Sequence, residues 1–357
     1  MHNRFIRYAI AYLIWLSLLF TCTGGFHDTG EWFWSWEEWD ADWYEQIWED
    51  GYRYNLQALA FPPGFSLLIG IVSEITSLPF NFAAMAANLL FFFVGSIIAA
   101  ELLAEAVNAQ RLGIFILSLT SPAAYFTLAP YSDALFFPLL WGALFLAVKN
   151  VRRMSFVLLE CGVLMLAPWV RIAGFALLSW LIVRRWRAAV IFISLAGWLW
   201  LNYHISGDAL YFIKAQELYH MPDGNFFQGI YSSVYGIFFN TGQFKTSKYL
   251  AVYVLPVLYL LILLPCAIWY MARKQWIMAI TMIGMLALSH NQAFWRSCVR
   301  YDLPLMPFLY AALLANGDTQ KTGKGTCKAG IIAIIGLVQF SLQIYFARNF
   351  MGGNWAF

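Results

Sequence analysis

Long apolar runs fill most of this chain, and short charged clusters separate them. The runs are continuous. A membrane β-barrel would alternate apolar and polar positions, so the pattern is helical. Runs near 5–22, 82–104, 112–128, 132–149, 154–168, 169–183, 188–204, 249–271, 275–290, 301–316 and 329–347 read as membrane helices. A span needs roughly 20 residues, fewer where the bilayer thins, which gives ~11 crossings. The run 64–79 follows Pro62-Pro63-Gly64, contains Glu74 and is short; it reads as a partial or re-entrant helix. The runs 154–168 and 169–183 are together too long for one span and short for two. Pro168 lies between them and lacks an amide donor, so the expected break falls there, with Arg171 at the outer end of a short hairpin. No internal repeat or low-complexity tract appears. The expectation is one integral-membrane domain over 1–357.

One stretch departs from the pattern. Between Glu31 and Asp50, eight carboxylates alternate with tryptophans. On a continuous helix Trp32, Trp36, Trp39, Trp43 and Ile47 share a face, because steps of three and four residues stay on one side. Trp and Tyr favour the membrane–water boundary. This predicts an amphipathic helix on the outer bilayer surface, presenting carboxylates to water or substrate. A solvated acidic loop with interfacial anchors is the plainer alternative.

Composition agrees with a membrane protein. The 357 residues are 61% hydrophobic and 11% charged, against roughly 25% charged in a soluble domain. The net charge of +3 says less than its distribution. Cytoplasmic loops are enriched in Lys and Arg. The clusters Arg4/Arg7, Arg111, Lys149/Arg152/Arg153, Arg184/Arg185/Arg187, Arg273/Lys274 and Lys321/Lys324/Lys328 all fall on one side if 64–79 does not span. That leaves 28–50, 129–133, 206–247, 291–300 and the C-terminus outside. Basic residues in small clusters between apolar runs give no nucleic-acid surface. The five cysteines form no C-x-x-C pair and no His/Cys set with metal spacing. The first run is longer than a signal-peptide core, and Cys22-Thr23-Gly24-Gly25 is a weak cleavage site, so a retained first helix is expected.

Ionisable residues at a membrane edge are costly, so each is a site hypothesis. The outer-side candidates are Asp40, Asp42, Asp133, Arg171, Arg296 and Arg300. Arginine clamps phosphate through its planar fork, and a carboxylate takes the proton of an attacking hydroxyl. Acids on one wall and arginines on another therefore suit a substrate with a phosphate and a hydroxyl. Asp40 and Asp42 form a D-x-D pair, but on a helix they stand roughly 200° apart. Asp40, beside the aromatic seam and Tyr44, is the better base; Asp42 is solvated or orienting. Structural roles compete with these. Arg300 reads also as a snorkelling residue, Arg171 as the partner of a buried acid, and Ser132 or Asp133 as a helix N-terminal charge or cap. Gln216, in the mixed stretch 207–216, is placed to hydrogen-bond a sugar or simply to pack at the interface.

The same residues carry a resemblance. Trp39-Asp40 with Tyr44, Gly51-Tyr52 and Phe61-Pro62-Pro63-Gly64-Phe65 resemble the "WD…Y…GY…FFPLFP" opening of the PIG-V family, the GPI mannosyltransferases of the second mannose step and their prokaryotic relatives. Ser121-Pro122-Ala123-Ala124-Tyr125-Phe126 and Ala129-Pro130-Tyr131-Ser132-Asp133-Ala134-Leu135-Phe136 resemble its "SPA…F…APYSESLF". Arg171-Ile172-Ala173-Gly174 resembles "R-x-x-G", 207–216 resembles "GDPLAF…AQ", and Arg300-Tyr301 with Leu303-Pro304-Leu305 and Pro307 resembles "RY-x-LPLFP". Glu38 stands where the family often has His, and Asp133 where it has Glu.

The resemblance implies a GT-C fold, with the site at the non-cytoplasmic face and a polyprenyl- or dolichyl-phosphate-linked sugar as donor. Its catalytic aspartate falls on Asp40 and its second-loop acid on Asp133. The expected function is inverting transfer of mannose or a related sugar to a lipid-linked or glycan acceptor. Tyr44, Tyr131, Asp42, Arg171, Gln216 and Arg300 would line the substrates. No cofactor is expected, a D-x-D divalent cation being the alternative. The membrane would be the plasma membrane in a prokaryote and the endoplasmic reticulum in a eukaryote. A transporter or flippase of polyprenyl-linked lipids is the competing reading; it calls for matched broken helices in internal repeats.

Overall fold

The structure, a computed structural model, describes residues 2–25, 29–53, 55–150, 152–217, 225–239, 246–291, 297–315 and 325–353. Among these it is all-helical, apart from one isolated bridge between Ala109 and Ala315. Helix α1 (His2–Cys22) precedes two short helices, α2 (Thr29–Trp34) and α3 (Ala41–Glu49). Then come α4 (Gly64–Thr76), α5 (Phe80–Val107), α6 (Arg111–Leu119), α7 (Asp133–Lys149) and α8 (Met154–Val170). A 3-10 helix over Ile172–Leu181 leads towards α9 (Ile191–Ser206), α10 (Tyr211–Glu217) and α11 (Phe226–Phe239). α12 (Thr246–Tyr249) runs through a π-helical turn, Leu250–Val254, into α13 (Leu255–Ala272). α14 (Trp276–Ser289), α15 (Cys298–Tyr301), α16 (Met306–Leu314) and α17 (Gly325–Met351) follow.

Four segments are long and apolar enough to cross a membrane: Asn3–Cys22, Phe80–Val107, Trp186–Ser206 and Thr246–Ala272. The protein is therefore a membrane protein. Its shorter apolar helices, α4, α8 and α14 among them, are compatible with a polytopic arrangement. The run 112–128 is not one helix. α6 stops at Leu119, and 121–137 is an unbroken buried stretch, with one 3-10 turn at Ala124–Thr127 before the start of α7. The run 301–316 is likewise broken into α15, a 3-10 turn at Leu303–Leu305 and α16. α4 has 13 residues, about 20 Å at 1.5 Å per residue, too short for a bilayer core of roughly 30 Å.

α5 acts as a ruler. Near its start, Asn81 Nδ2 donates to Glu45 of α3 at 3.1 Å. Burial raises Glu45 and Glu37 above the ordinary carboxylate range. Near its far end, Glu101 accepts from Arg111 Nε at 3.0 Å and from the Tyr8 hydroxyl at 2.8 Å, with Arg4 at 3.8 Å. Residues 81 and 101 are about 30 Å apart along the axis. Lys149 pairs with Glu105 at 2.6 Å, and Arg185 donates to Asn150 at 3.1 Å. Arg4, Arg111, Lys149 and Arg185 thus lie towards one end of α5, and the acidic stretch packs at the other. Glu160, an acid that the hydrophobic pattern hid, is buried in α8 and pairs with Arg187.

The hairpin break falls three residues later than expected. Pro168 stays inside α8, and the helix ends at Arg171, whose backbone is extended (φ −155°, ψ 134°). The fold-back needs Gly174, since a Cβ there would meet the backbone of Pro168 and lie 2.5 Å from Ala167 C. Across the same helix end, a Cβ on Gly64 would lie 2.6 Å from Trp169 O. Two helix termini can therefore close on the end of α8 without side-chain bulk, and Arg171 is held at the junction.

Candidate functional site

The acidic stretch is not the continuous helix that its periodicity predicts. α2 ends at Trp34 and α3 starts at Ala41. Between them Trp39 adopts φ 60°, a left-handed conformation uncommon for a bulky residue and typical of functional turns. The turn splits the tryptophan face. Trp32, Trp36 and Ile47 are buried, while Trp39 is 46% exposed. It also turns Asp40 inward, as the residue preceding α3. Asp40 makes no side-chain capping bond, so its carboxylate is available for tertiary contact.

That contact is with Arg300, 260 residues away. Arg300 Nη1 donates to Asp40 Oδ2 at 2.8 Å. The same guanidinium places Nε 3.1 Å from Asp133 Oδ2, and Arg171 Nη1 lies 2.5 Å from that oxygen. Asp133 is buried in the first turn of α7, and both arginines are buried too. Asp40 is the outermost member, its side chain 27% exposed. Two carboxylates and two guanidiniums sum to zero charge, as a low-dielectric site requires. Arg171 Nη2 is buried and has no hydrogen-bond partner among the described residues.

Aromatic rings frame the cations. Arg300 lies 4.6 Å from the Tyr131 ring centroid and 5.3 Å from that of Phe126. Arg171 lies 4.7 Å from that of Tyr301. Ring faces attract guanidinium and exclude water. Tyr131 also fixes the Asp40 turn. Its hydroxyl donates to Glu38 O at 2.5 Å and accepts from Asp40 N at 3.3 Å. Asn88 of α5 holds the Tyr131 segment in turn, donating to Ala129 O at 2.7 Å and Tyr131 O at 3.1 Å. Burial raises the Tyr131 hydroxyl well above its usual range, so it stays protonated as a donor. Tyr131→Phe is expected to cost about 1–2 kcal/mol of stability through these bonds. Thermal melts should register that loss, and the half-exposed Trp39 should report the loosened turn by fluorescence.

The other expected residues separate. Tyr44 is buried beside the cluster, its hydroxyl 2.8 Å from Ser132 Oγ and pushed up to about 12 by burial. Ser132 precedes α7 without capping it. Asp42 is exposed on α3 and touches neither arginine. Gln216 sits on α10, which packs on Leu56–Ala60 and α9, with no bond to the cluster among the described residues. Arg296 lies outside the described residues. Arg300 does not snorkel: it is 6% exposed. Arg171 does partner a buried acid, and that acid is itself a candidate. Among the described residues no three His, Cys, Asp or Glu side chains gather as metal donors.

Sequence reasoning missed Asn88, Phe126, Tyr301 and the back of the α15 turn. There Asp302 accepts from Ser289 Oγ at 2.9 Å, and Ser289 Oγ lies 2.8 Å from His290 Nδ1. Asn88 was findable as a lone amide inside an apolar run. The aromatic contacts had no signal in a chain this rich in rings. Compared with family models, curated proteins and solved structures, the chain matches none.

Proposed function

We propose that this protein is a glycosyltransferase. It moves mannose or a related sugar from a polyprenyl-phosphate-linked donor to a hydroxyl of a lipid-linked or glycan acceptor, at the non-cytoplasmic face of a multi-pass membrane domain. The observation that carries this reading is the meeting of Asp40, Asp133, Arg171 and Arg300 in one neutral cluster. It lies on the side of α5 where Asn81 and Asn88 sit, away from Arg4, Arg111 and Lys149. These four also carry the resemblance to the PIG-V family, from four separate motifs.

The chemistry follows from the arrangement. Asp40, at the open side, accepts the proton of the acceptor hydroxyl. The freed oxygen attacks the anomeric carbon opposite the phosphate, the carbon–phosphate-oxygen bond breaks, and the configuration inverts. The polyprenyl phosphate leaves with one more negative charge than the diester carried. Arg171 and Arg300 stabilise that charge where it develops. Asp133 holds both guanidiniums in place. The test is transfer of labelled hexose from defined polyprenyl-phosphate donors by the full chain in liposomes. A new glycosidic product is expected. Movement of the labelled lipid between leaflets with no glycosidic product would instead make the protein a flippase.

A further inference from the structure

Arg300 is shared between the base and its neighbour, and this has a mechanistic consequence. Asp40 Oδ2 is already occupied by Arg300 Nη1, 2.8 Å away, before any acceptor arrives. In the resting site every charge is already answered, so an arriving phosphodiester brings one uncompensated negative charge. Two groups are available to it. Arg171 offers a buried nitrogen with no hydrogen-bond partner among the described residues, and Arg300 offers the nitrogen now spent on Asp40. Asp133 keeps Arg300 Nε at 3.1 Å, so that guanidinium can let go of Asp40 and stay anchored. Asp40 is also the more exposed of the two acids, at 27% against 3% for the side chains, and water replaces its lost partner at least cost.

The geometry points to an ion exchange that makes donor binding the trigger for catalysis: the donor phosphate takes Arg300 Nη1 from Asp40 and so releases the base. The exchange rests on the glycosyltransferase reading for its donor. The balance closes. Asp40, Asp133, Arg171, Arg300 and the diester sum to −1 before transfer. Afterwards Asp40 is protonated, the phosphate is a dianion, and the acceptor has lost its proton to Asp40, so the sum is still −1. Negative charge has moved from Asp40 to the phosphate, and Arg300 has moved with it. An acceptor arriving first meets a paired base, which protects the site from idle deprotonation.

Binding of geranylgeranyl phosphate to the purified full chain in nanodiscs tests the exchange. If Arg300 must leave Asp40, the wild-type affinity is lowered by the fraction of molecules in which it is free. Asp40→Asn replaces the ion pair by a weaker, neutral hydrogen bond and should tighten binding roughly 5- to 20-fold. In an Arg300→Gln background, where Asp133 and Arg171 still neutralise each other, the same change should gain less than about twofold. Asp40→Ala serves equally, because Asp40 caps nothing through its side chain. Unchanged affinity in Asp40→Asn, or equal tightening without Arg300, overturns the exchange. Tightening in Asp40→Asn together with no sugar transfer by the wild type would uphold the exchange and remove the glycosyltransferase reading. Transfer with unchanged affinity removes the exchange alone.

Discussion

Asp40→Asn is expected to lower sugar transfer by about 10²–10⁴-fold while the melting temperature moves by only a few degrees. The asymmetry comes from where Asp40 sits. Its side chain is 27% exposed and its partner Arg300 is also held by Asp133, so a screened pair is lost and no cation is stranded. Asparagine keeps an oxygen that can accept from Arg300 Nη1, and the turn is fixed by Tyr131 through backbone atoms. What goes is the ability to take a proton. Initial rates with a defined donor, measured beside thermal melts, check both halves. Turnover within about fivefold of wild type would remove Asp40 as the base. Asp42→Asn, the same change on the exposed side of α3, should cost less than about threefold.

Asp133→Ala should behave in the opposite way, destabilising the protein by about 3–5 kcal/mol. Asp133 is buried and faces both guanidiniums through one oxygen. Removing it strands Arg171 completely and leaves Arg300 with Asp40 alone. An uncompensated buried charge costs far more than the pair was worth. Pairing Asp133→Ala with Arg171→Met removes the stranded cation, and should restore more than half of the lost stability. Denaturant titration of the two single variants and the double variant measures that coupling. Simple additivity would mean that Arg171 and Asp133 do not depend on each other. Transfer should stay absent in the double variant although stability returns, because Arg171, to which the proposed function gives the phosphate, is gone.

The members of the charged cluster are legible along the chain because charge is conspicuous in an apolar sequence. Asp40, Asp133, Arg171 and Arg300 stood out since each breaks an apolar context, and elementary solvation says such residues need a reason. The first acidic loop misled because helical periodicity assumes an unbroken helix. Tryptophans at steps of three and four satisfied that pattern although Trp39 adopts φ 60° and splits it. Pro168 misled in a similar way. It marks where a helix loses one hydrogen bond, but the break follows where the chain turns back, and Gly174 against Ala167 decides that. The Tyr131 hydroxyl ties down Glu38 and Asp40, a role that backbone partners leave unwritten in any motif.

By itself the sequence determined the solvent in which this protein folds, the helical class that such a solvent enforces, and the short list of charged side chains at its edge. Burying backbone in hydrocarbon leaves helices as the way to satisfy every amide, so continuous apolar runs admit little else. Only the tertiary structure decided which of those charges meet. Arg300 reaches Asp40 across 260 positions of chain, and no local pattern encodes a distance of that kind. The cluster exists because the turn before α3, the start of α7, the end of α8 and α15 bring four costly charges to one place, where each offsets the burial of the others.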